Sequence, residues 1–372
     1  MNNTLDTHEL LFGKDSANLH RLTIQATLVP VAGDLFQPAG FPDIGHVLYD
    51  APRANGQKEK VCIVDSAASM ANHLEAVSLE SAQTLELHPA LSGMPYLQCL
   101  TDAAGTNGGR TPTRLVVTSL SEGHRLASSY FLDEKGKLIH EGQVSTGTFI
   151  TVLRGEFGMP DLGKKTHPLP GDWWNVFRTI FRYDPNSLVH GILFPSLGIK
   201  LSRVLTAHHE AFGAERVGLS GVKFDKLGKT TSGQPIFAVD KETAREIRAT
   251  FVIDLALIRS FGRENDGLSQ HQRQFLLELA LWKIGRLLDG PYRFRSGCDL
   301  KLDKLQRVEN GQAVELPLAT LQRDIAAAIG EAGFTDPRVT KVYWPADALF
   351  KVGEDEEEEE EAGTADEGEA IQ

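Results

Sequence analysis

The chain has 372 residues, 38 Lys+Arg against 50 Asp+Glu, a formal net charge of -12 and 41% hydrophobic residues. Residues 351–372 hold eleven acids and one lysine, which leaves residues 1–350 near neutrality at -2. A near-neutral, apolar body of this length buries a sizeable core, which excludes a chain that is disordered throughout.

The length suits one large domain or two ordinary ones. No apolar run reaches the roughly 20 residues that a bilayer demands, and residues 1–18 lack the basic-then-apolar order of a signal peptide. Cys62, Cys99 and Cys298 are far apart and odd in number, against a disulfide framework or a thiolate zinc cage. The expectation is a soluble, cytoplasmic protein without a membrane role.

In chain order, residues 21–30 alternate Leu22, Ile24, Ala26 and Leu28 with Thr23, Gln25 and Thr27, the period of a half-buried strand. Residues 31–46 carry glycines at 33, 40 and 45 and prolines at 38 and 42, which predicts a structured loop. A short strand follows at 61–64. Asp65 or Ser66 then caps a helix with Met70, Leu74 and Val77 on its apolar face. Strands are expected at 96–100 and 114–119, around a Gly, Ala and Asn loop at 102–110. Further on, helices are expected at 199–212 (stopping at Gly213), at 272–288 (ended by Gly290 and Pro291) and at 321–329, with a last strand at 339–344. Strands early and helices late argue an α+β fold. The domain reading is a body over 1–350 and a disordered acidic tail over 351–372, because eight successive acids repel one another and cannot pack. Such a tail either spaces and solubilises or mimics nucleic acid for a basic groove.

Enzyme motifs fail on spacing. LGKT at 227–230 lacks the earlier glycine of a phosphate loop, since position 223 is lysine. His208 and His209, read as helical neighbours, point about 100° apart and chelate poorly. His209-Glu210 lacks the second histidine of a zinc-protease helix, and 218–221 miss the nucleophile-elbow spacing by one residue. Asp299 and Asp303 have no acid–base partner in view. No catalytic constellation, cofactor or metal set is legible, and the expectation is a non-enzyme.

Four segments hold more polar chemistry than a core requires. The glycine loop, with Phe36, Gln37, Gly40, Phe41 and Gly45, either lets backbone amides approach a phosphate beside stacking aromatics or is a long loop pinned by two core phenylalanines. In residues 65–75, Ser66, Ser69, Asn72 and His73 share one helical stripe at a helix start, where free N–H groups favour phosphate; capping alone also explains Ser66. Residues 118–130 gather Ser119, Ser121, His124 and Arg125, suited to phosphate or carboxylate, or a helix start with a surface arginine. In residues 291–300, Arg293 and Arg295 alternate with Tyr292 and Phe294, which in a strand gives a basic strip backed by an aromatic one.

The stretches FQPAGFPDIGHVLY (36–49), VDSAASMANHLE (64–75), SLSEGHRLASSY (119–130) and RFRSGCDL (293–300), in this order, resemble the Csb-one group of Cas-seven proteins. These are backbone subunits of type I-G (formerly I-U) CRISPR interference complexes, in the RAMP superfamily. The resemblance covers most of residues 21–300, and its most specific piece pairs the phenylalanine-bearing glycine loop with the helix of Ser69, Met70, Ala71, Asn72 and Glu75. Members often carry Gln and Arg where this chain has Ala68 and His73, and the acidic tail is not part of the pattern. The resemblance implies an RNA-recognition-like (ferredoxin-like) core with inserted thumb and palm elements. It implies several copies lining the spacer of a CRISPR RNA and presenting it to target DNA, beside other Cascade subunits of Cas-five, Cas-six-like and large-subunit type. RNA contacts are then expected from Phe36, Gln37, Gly40, Phe41, Gly45, Ser66, Ser69, Asn72, His124, Arg125, Arg293 and Arg295. The readings of another class are a cytosolic metabolic enzyme with a dispersed site and a generic oligomeric scaffold.

Overall fold

The computed structural model describes residues 5–41, 45–102, 112–159, 167–218, 241–309 and 311–349. The LGKT stretch, the glycine-rich part of 102–110 and the acidic run 351–372 lie outside the described residues. The fold is α+β, in two compact units. The first takes Met1–Ser78, Arg203–Ser260 and Arg273–Ala328, and the second Leu79–Ser202, Phe261–Gln272 and Ile329–Gln372.

The first unit is built on an antiparallel sheet whose strands run in the order Tyr292–Arg295, Cys298–Glu309, Arg21–Pro30, Lys241–Asp254, Leu205–Val217, Lys58–Asp65 and Leu48–Pro52. Strand Gln312–Glu315 pairs beside Cys298–Glu309. Period-two alternation sets its faces. Leu22, Ile24, Ala26 and Leu28 are buried against Ile253, Phe251, Ala249 and Ile247. The opposite face is polar and half-buried to exposed, with rows such as Gln306, Gln25, Thr250 and His208, or Lys304, Thr27, Arg248 and Glu210.

Helix Ala67–Ala76 packs on the strand Leu205–Val217 through buried Met70, Ala71 and Leu74. Helix Gln270–Leu288 is apolar nearly all round and buried along most of its length. Its buried charged side chains are hydrogen-bonded within the protein, as burial requires. Lys283 Nζ donates to Leu74 O at 3.2 Å, and Glu278 takes Arg323 and the Thr7 hydroxyl. Gly290, at φ +98°, and Pro291 stop the helix as expected.

Residues 199–212 are not a helix. They form the short strand Ile199–Leu201 and the first half of Leu205–Val217. Leu205, Ala207, His209 and Ala211 point inward with period two, a pattern that outweighs the sparse helical spacing of Ile199, Val204, Leu205 and Phe212. Gly213 adopts φ +62° within the strand rather than stopping a helix. His208 and His209 therefore lie on opposite faces, His208 exposed and His209 buried, rather than as a partly exposed pair. The stretch 321–329 is also only partly helical, a 3-10 turn at Leu318–Thr320 being followed by a helix at Ala326–Glu331. Helices do not simply gather late, because five of the eight strands of the central sheet come from residues after 200.

In the second unit a five-stranded sheet runs Pro112–Thr118, Tyr96–Asp102, Val339–Tyr343, Lys137–His140 and Gln143–Val144. The late strand Val339–Tyr343 lies parallel to Tyr96–Asp102. Buried Phe149, Phe157 and Phe181, from helices Phe149–Phe157 and Trp173–Tyr183, supply much of this unit's core. Among the described residues no helix is long and apolar enough to cross a membrane.

Candidate nucleic-acid interface

Three of the four polar segments meet where the strand Lys58–Asp65 ends. The glycine loop is tied there by backbone bonds, Ala39 N donating to Val64 O at 2.8 Å and Gln37 N to Gly297 O at 2.9 Å. Phe36 pairs through its backbone with Glu242, at 2.9 Å in both directions, and its ring is in the core. It is a pin, not a stacking platform, which corrects the stacking expectation for this residue. Gly40 and Phe41 pair with His46 and Gly45 as two short antiparallel strands. Gly45 needs φ +69°, and a Cβ on Gly40 would lie 3.2 Å from the backbone of Gly45, so positive φ and close backbone approach divide between the two. Behind the loop, fully buried Glu242 takes His46 Nδ1 at 3.0 Å and Arg216 Nε at 3.1 Å.

Beside the loop begins the helix Ala67–Ala76. Ser66 Oγ accepts from Ser69 N at 3.1 Å, capping the first turn, and Asn72 lies exposed one turn on. Asp65, 2% exposed, sits between strand and helix. Its Oδ1 accepts from Ser66 N at 3.1 Å and from Arg295 Nη2 at 2.6 Å, and its Oδ2 lies 3.3 Å from His73 Nε2. Burial alone would raise this carboxyl; the nearness of His73, Ser69 and the Arg295 guanidinium outweighs it and holds the group below the usual carboxylate range.

The hairpin 292–298 completes the corner. Arg293 and Arg295 do not form one outward strip, because the register shifts between them. Arg293 stays exposed and holds Asp299 at 2.7 Å, whereas Arg295 turns to Asp65 and keeps 26% of its side chain exposed. Phe294 is ringed by His209 (centroids 4.4 Å apart), His73 (5.1 Å) and Tyr292 (4.2 Å). Burial pushes His209 down to about 3, so it stays neutral, and both its nitrogens lack a partner among the described residues. The Tyr292 hydroxyl and Arg295 Nε are likewise buried without a partner among the described residues.

The fourth segment lies in the second unit. Ser119 Oγ accepts from Leu97 N, and Ser121 Oγ from Thr118 N. Arg125, 7% exposed and at φ +56°, donates from Nη1 to Gly191 O at 3.1 Å. Its guanidinium is drawn into the unit's interior rather than standing as a surface arginine. His124 remains outside, with 82% of its side chain exposed.

The family model for CRISPR-associated protein GSU0053 matches residues 22–216, more than half of the chain. The chain belongs to this CRISPR-associated family. Membership ties it to CRISPR defence. The matched span holds the glycine loop, the Ser66 helix and the His124–Arg125 turn, and it ends before the 292–298 hairpin. No curated protein matches the chain.

The corner of this CRISPR-associated protein offers an anion a helix start, close-approaching backbone and one oriented guanidinium. Among the described residues no His, Cys, Asp or Glu group is placed to hold a metal ion. Sequence reading missed Glu242, His46, Arg216 and His209 as parts of the corner's framework, and gave Asp65 only a capping role. Asp65 was findable, because an acid directly after an apolar strand and before a serine cap stands where both elements shield it. Glu242 carries no such signal, since it opens its strand beside Lys241 and reads as a surface acid.

Proposed function

We propose that this CRISPR-associated protein is the RNA-binding backbone subunit of a type I interference complex, of the Csb-one kind. Several copies line the spacer of one CRISPR RNA and present it for pairing with target DNA. Other Cascade subunits complete the cytoplasmic particle, and the chain itself catalyses nothing. The carrying observation is the meeting of the glycine loop, the Ser66 helix start and Arg295 at one strand end, two of the three within the family-matched span.

Connectivity supports the reading. Strands Arg21–Pro30, Leu205–Val217, Lys241–Asp254 and Cys298–Glu309, taken as first to fourth, lie side by side in the order fourth, first, third, second. Helix Ala67–Ala76 falls between the first and second strands and Gln270–Leu288 between the third and fourth. This connectivity matches the βαββαβ plan expected of an RNA-recognition-like core and in that way supports the reading. Its polar face offers threonines, glutamines and His208 in the rows above, and its aromatics are engaged by protein, Phe212 under Arg248 and Tyr49 on Glu210, so the grip falls to the loops. Guide–target pairing supplies sequence, and the protein need only hold the backbone.

The test is purification from a host that expresses a CRISPR array. RNA of one defined length in the purified particle, at several protein copies per RNA, is the expected result. A clean monomer that turns over a metabolite refutes the reading in favour of an enzyme, and an RNA-free oligomer refutes it in favour of a scaffold.

A further inference from the structure

Asp65 presents a contradiction within an anion-binding corner. A buried carboxylate beside a phosphate would oppose the attraction that such a corner provides. It also joins three chain segments, the strand Lys58–Asp65, the cap of helix Ala67–Ala76 and the hairpin 292–298, through Ser66 N, His73 Nε2 and Arg295 Nη2. Of the Arg295 donors, only Nη2 is bound to protein among the described residues, and Nε is buried without a partner there. The side chain keeps part of its surface exposed. With Nη2 on Asp65 and Nε buried, Nη1 is the donor left for a second ligand, and a guanidinium donor grips phosphate well only when its plane is fixed beforehand.

We propose that Asp65 is a positioning residue that fixes the plane of the Arg295 guanidinium for a phosphate oxygen of single-stranded RNA. The ligand half of this rests on the RNA-binding reading above; the fixing of Arg295 does not. Asp65 does not touch the RNA, and its charge is unfavourable to the ligand. What it supplies is orientation.

The charge makes the test sharp. Asp65→Asn removes a negative charge, so Coulomb attraction alone tightens RNA binding, whereas loss of orientation weakens it. Fluorescein-labelled single-stranded RNA is titrated into the full chain at several salt concentrations. Asp65→Asn is expected to weaken binding about five- to tenfold and to lower the log–log salt slope by about 0.7, the share of one phosphate contact, as Arg295→Ala does. The double variant is expected to bind no worse than either single one, because both remove the same contact. In parallel, the Arg295 Nε–H resonance of the 15N-labelled chain, assigned by its absence in Arg295→Ala, is expected to be sharp in wild type and exchange-broadened in Asp65→Asn.

Unchanged or tighter RNA binding in Asp65→Asn, or a Nε–H signal as sharp as in wild type, overturns the proposal. If wild type binds no RNA while Asp65→Asn still loses the signal, the RNA reading falls and the fixing of Arg295 by Asp65 is upheld. If the asparagine variant does not fold, Asp65→Glu carries the same test with the charge kept and displaced by one methylene. An intermediate affinity with a broadened signal supports the proposal, and wild-type affinity with a broadened signal refutes it.

Discussion

Arg125 and Arg295 sit in segments of similar chemistry, each among serines and near a strand end, and their surroundings part them. Arg125 is drawn inside the second unit and donates to the Gly191 carbonyl. Arg295 meets a buried carboxylate and keeps a partly exposed side chain. A carbonyl in the interior keeps a guanidinium away from the surface, whereas a carboxylate at the root of an exposed corner holds one where part of it still meets solvent. The difference is between an arginine that holds the fold and one that the fold holds.

The largest effect expected from this contrast is on stability. Arg125→Ala leaves the Gly191 carbonyl unpaired and a void in the interior, at a cost of about 3 kcal/mol. RNA affinity of the surviving folded fraction is expected to keep its wild-type salt slope. Urea denaturation and salt-dependent titration measure the two. A slope lowered by a full phosphate contact makes Arg125 a ligand residue and erases the distinction.

Next in size is the pH response of the corner itself. Buried His209 stays neutral in the folded protein down to about 3, whereas an unfolded histidine takes its proton near 6.5. Between these values the unfolded state binds more protons, so stability falls as pH drops. Asp65, Arg295 and His73 surround the ring, and the depressed Asp65 carboxyl adds its own loss as pH falls below the usual carboxylate range. Between pH 7 and pH 5, wild type is expected to lose about 2 kcal/mol more than His209→Phe. Equal losses in urea unfolding at the two pH values place His209 in contact with solvent.

This histidine marks where the sequence stopped being legible. The strand Arg21–Pro30, the Ser66 cap, the helix end at Gly290 and the strand near 339–344 followed from local patterns, because alternation, capping and glycine punctuation act within a few residues. Residues 199–212 did not, because His209 breaks the apolar alternation of Leu205, Ala207 and Ala211 and leaves a sparse helical spacing as the louder signal. The corner was legible as separate chemical segments but not as one place. Asp65 and Arg295 are 230 residues apart, and four strands lie between theirs in the sheet order, yet their side chains meet at 2.6 Å, which no local pattern announces.

The glycine loop separates strain from function. At Gly45 a Cβ meets nothing within 4 Å, so Gly45→Val costs mainly the left-handed backbone, about 1–2 kcal/mol. Gly56, at φ +79° in the turn before Lys58–Asp65, is equally open and serves as control. Gly45→Val is expected to weaken RNA binding at least tenfold and Gly56→Val to leave it unchanged, at similar losses of melting temperature. Equal affinity in both variants makes the loop a structural connector.

The smallest effect concerns Arg293, and it decides whether the comparison extends to neighbours in one hairpin. Arg293 is 66% exposed and paired with Asp299 across the turn. An exposed pair of this kind contributes little to stability, because water screens it and two long side chains lose freedom in forming it. Arg293→Ala is therefore expected to leave the urea midpoint where it is. Its effect on RNA follows from its partner. Asp299 is itself partly exposed, so a phosphate must displace a carboxylate free to stay, whereas Arg295 is presented by one that cannot leave. The salt slope is then expected to fall by clearly less than the roughly 0.7 of a full phosphate contact. Asp299→Ala supplies the converse, freeing Arg293 and raising the slope toward that value. If Arg293→Ala instead removes a full contact, exposure rather than orientation selects the arginines that hold RNA, and Asp65 loses its reason to be there.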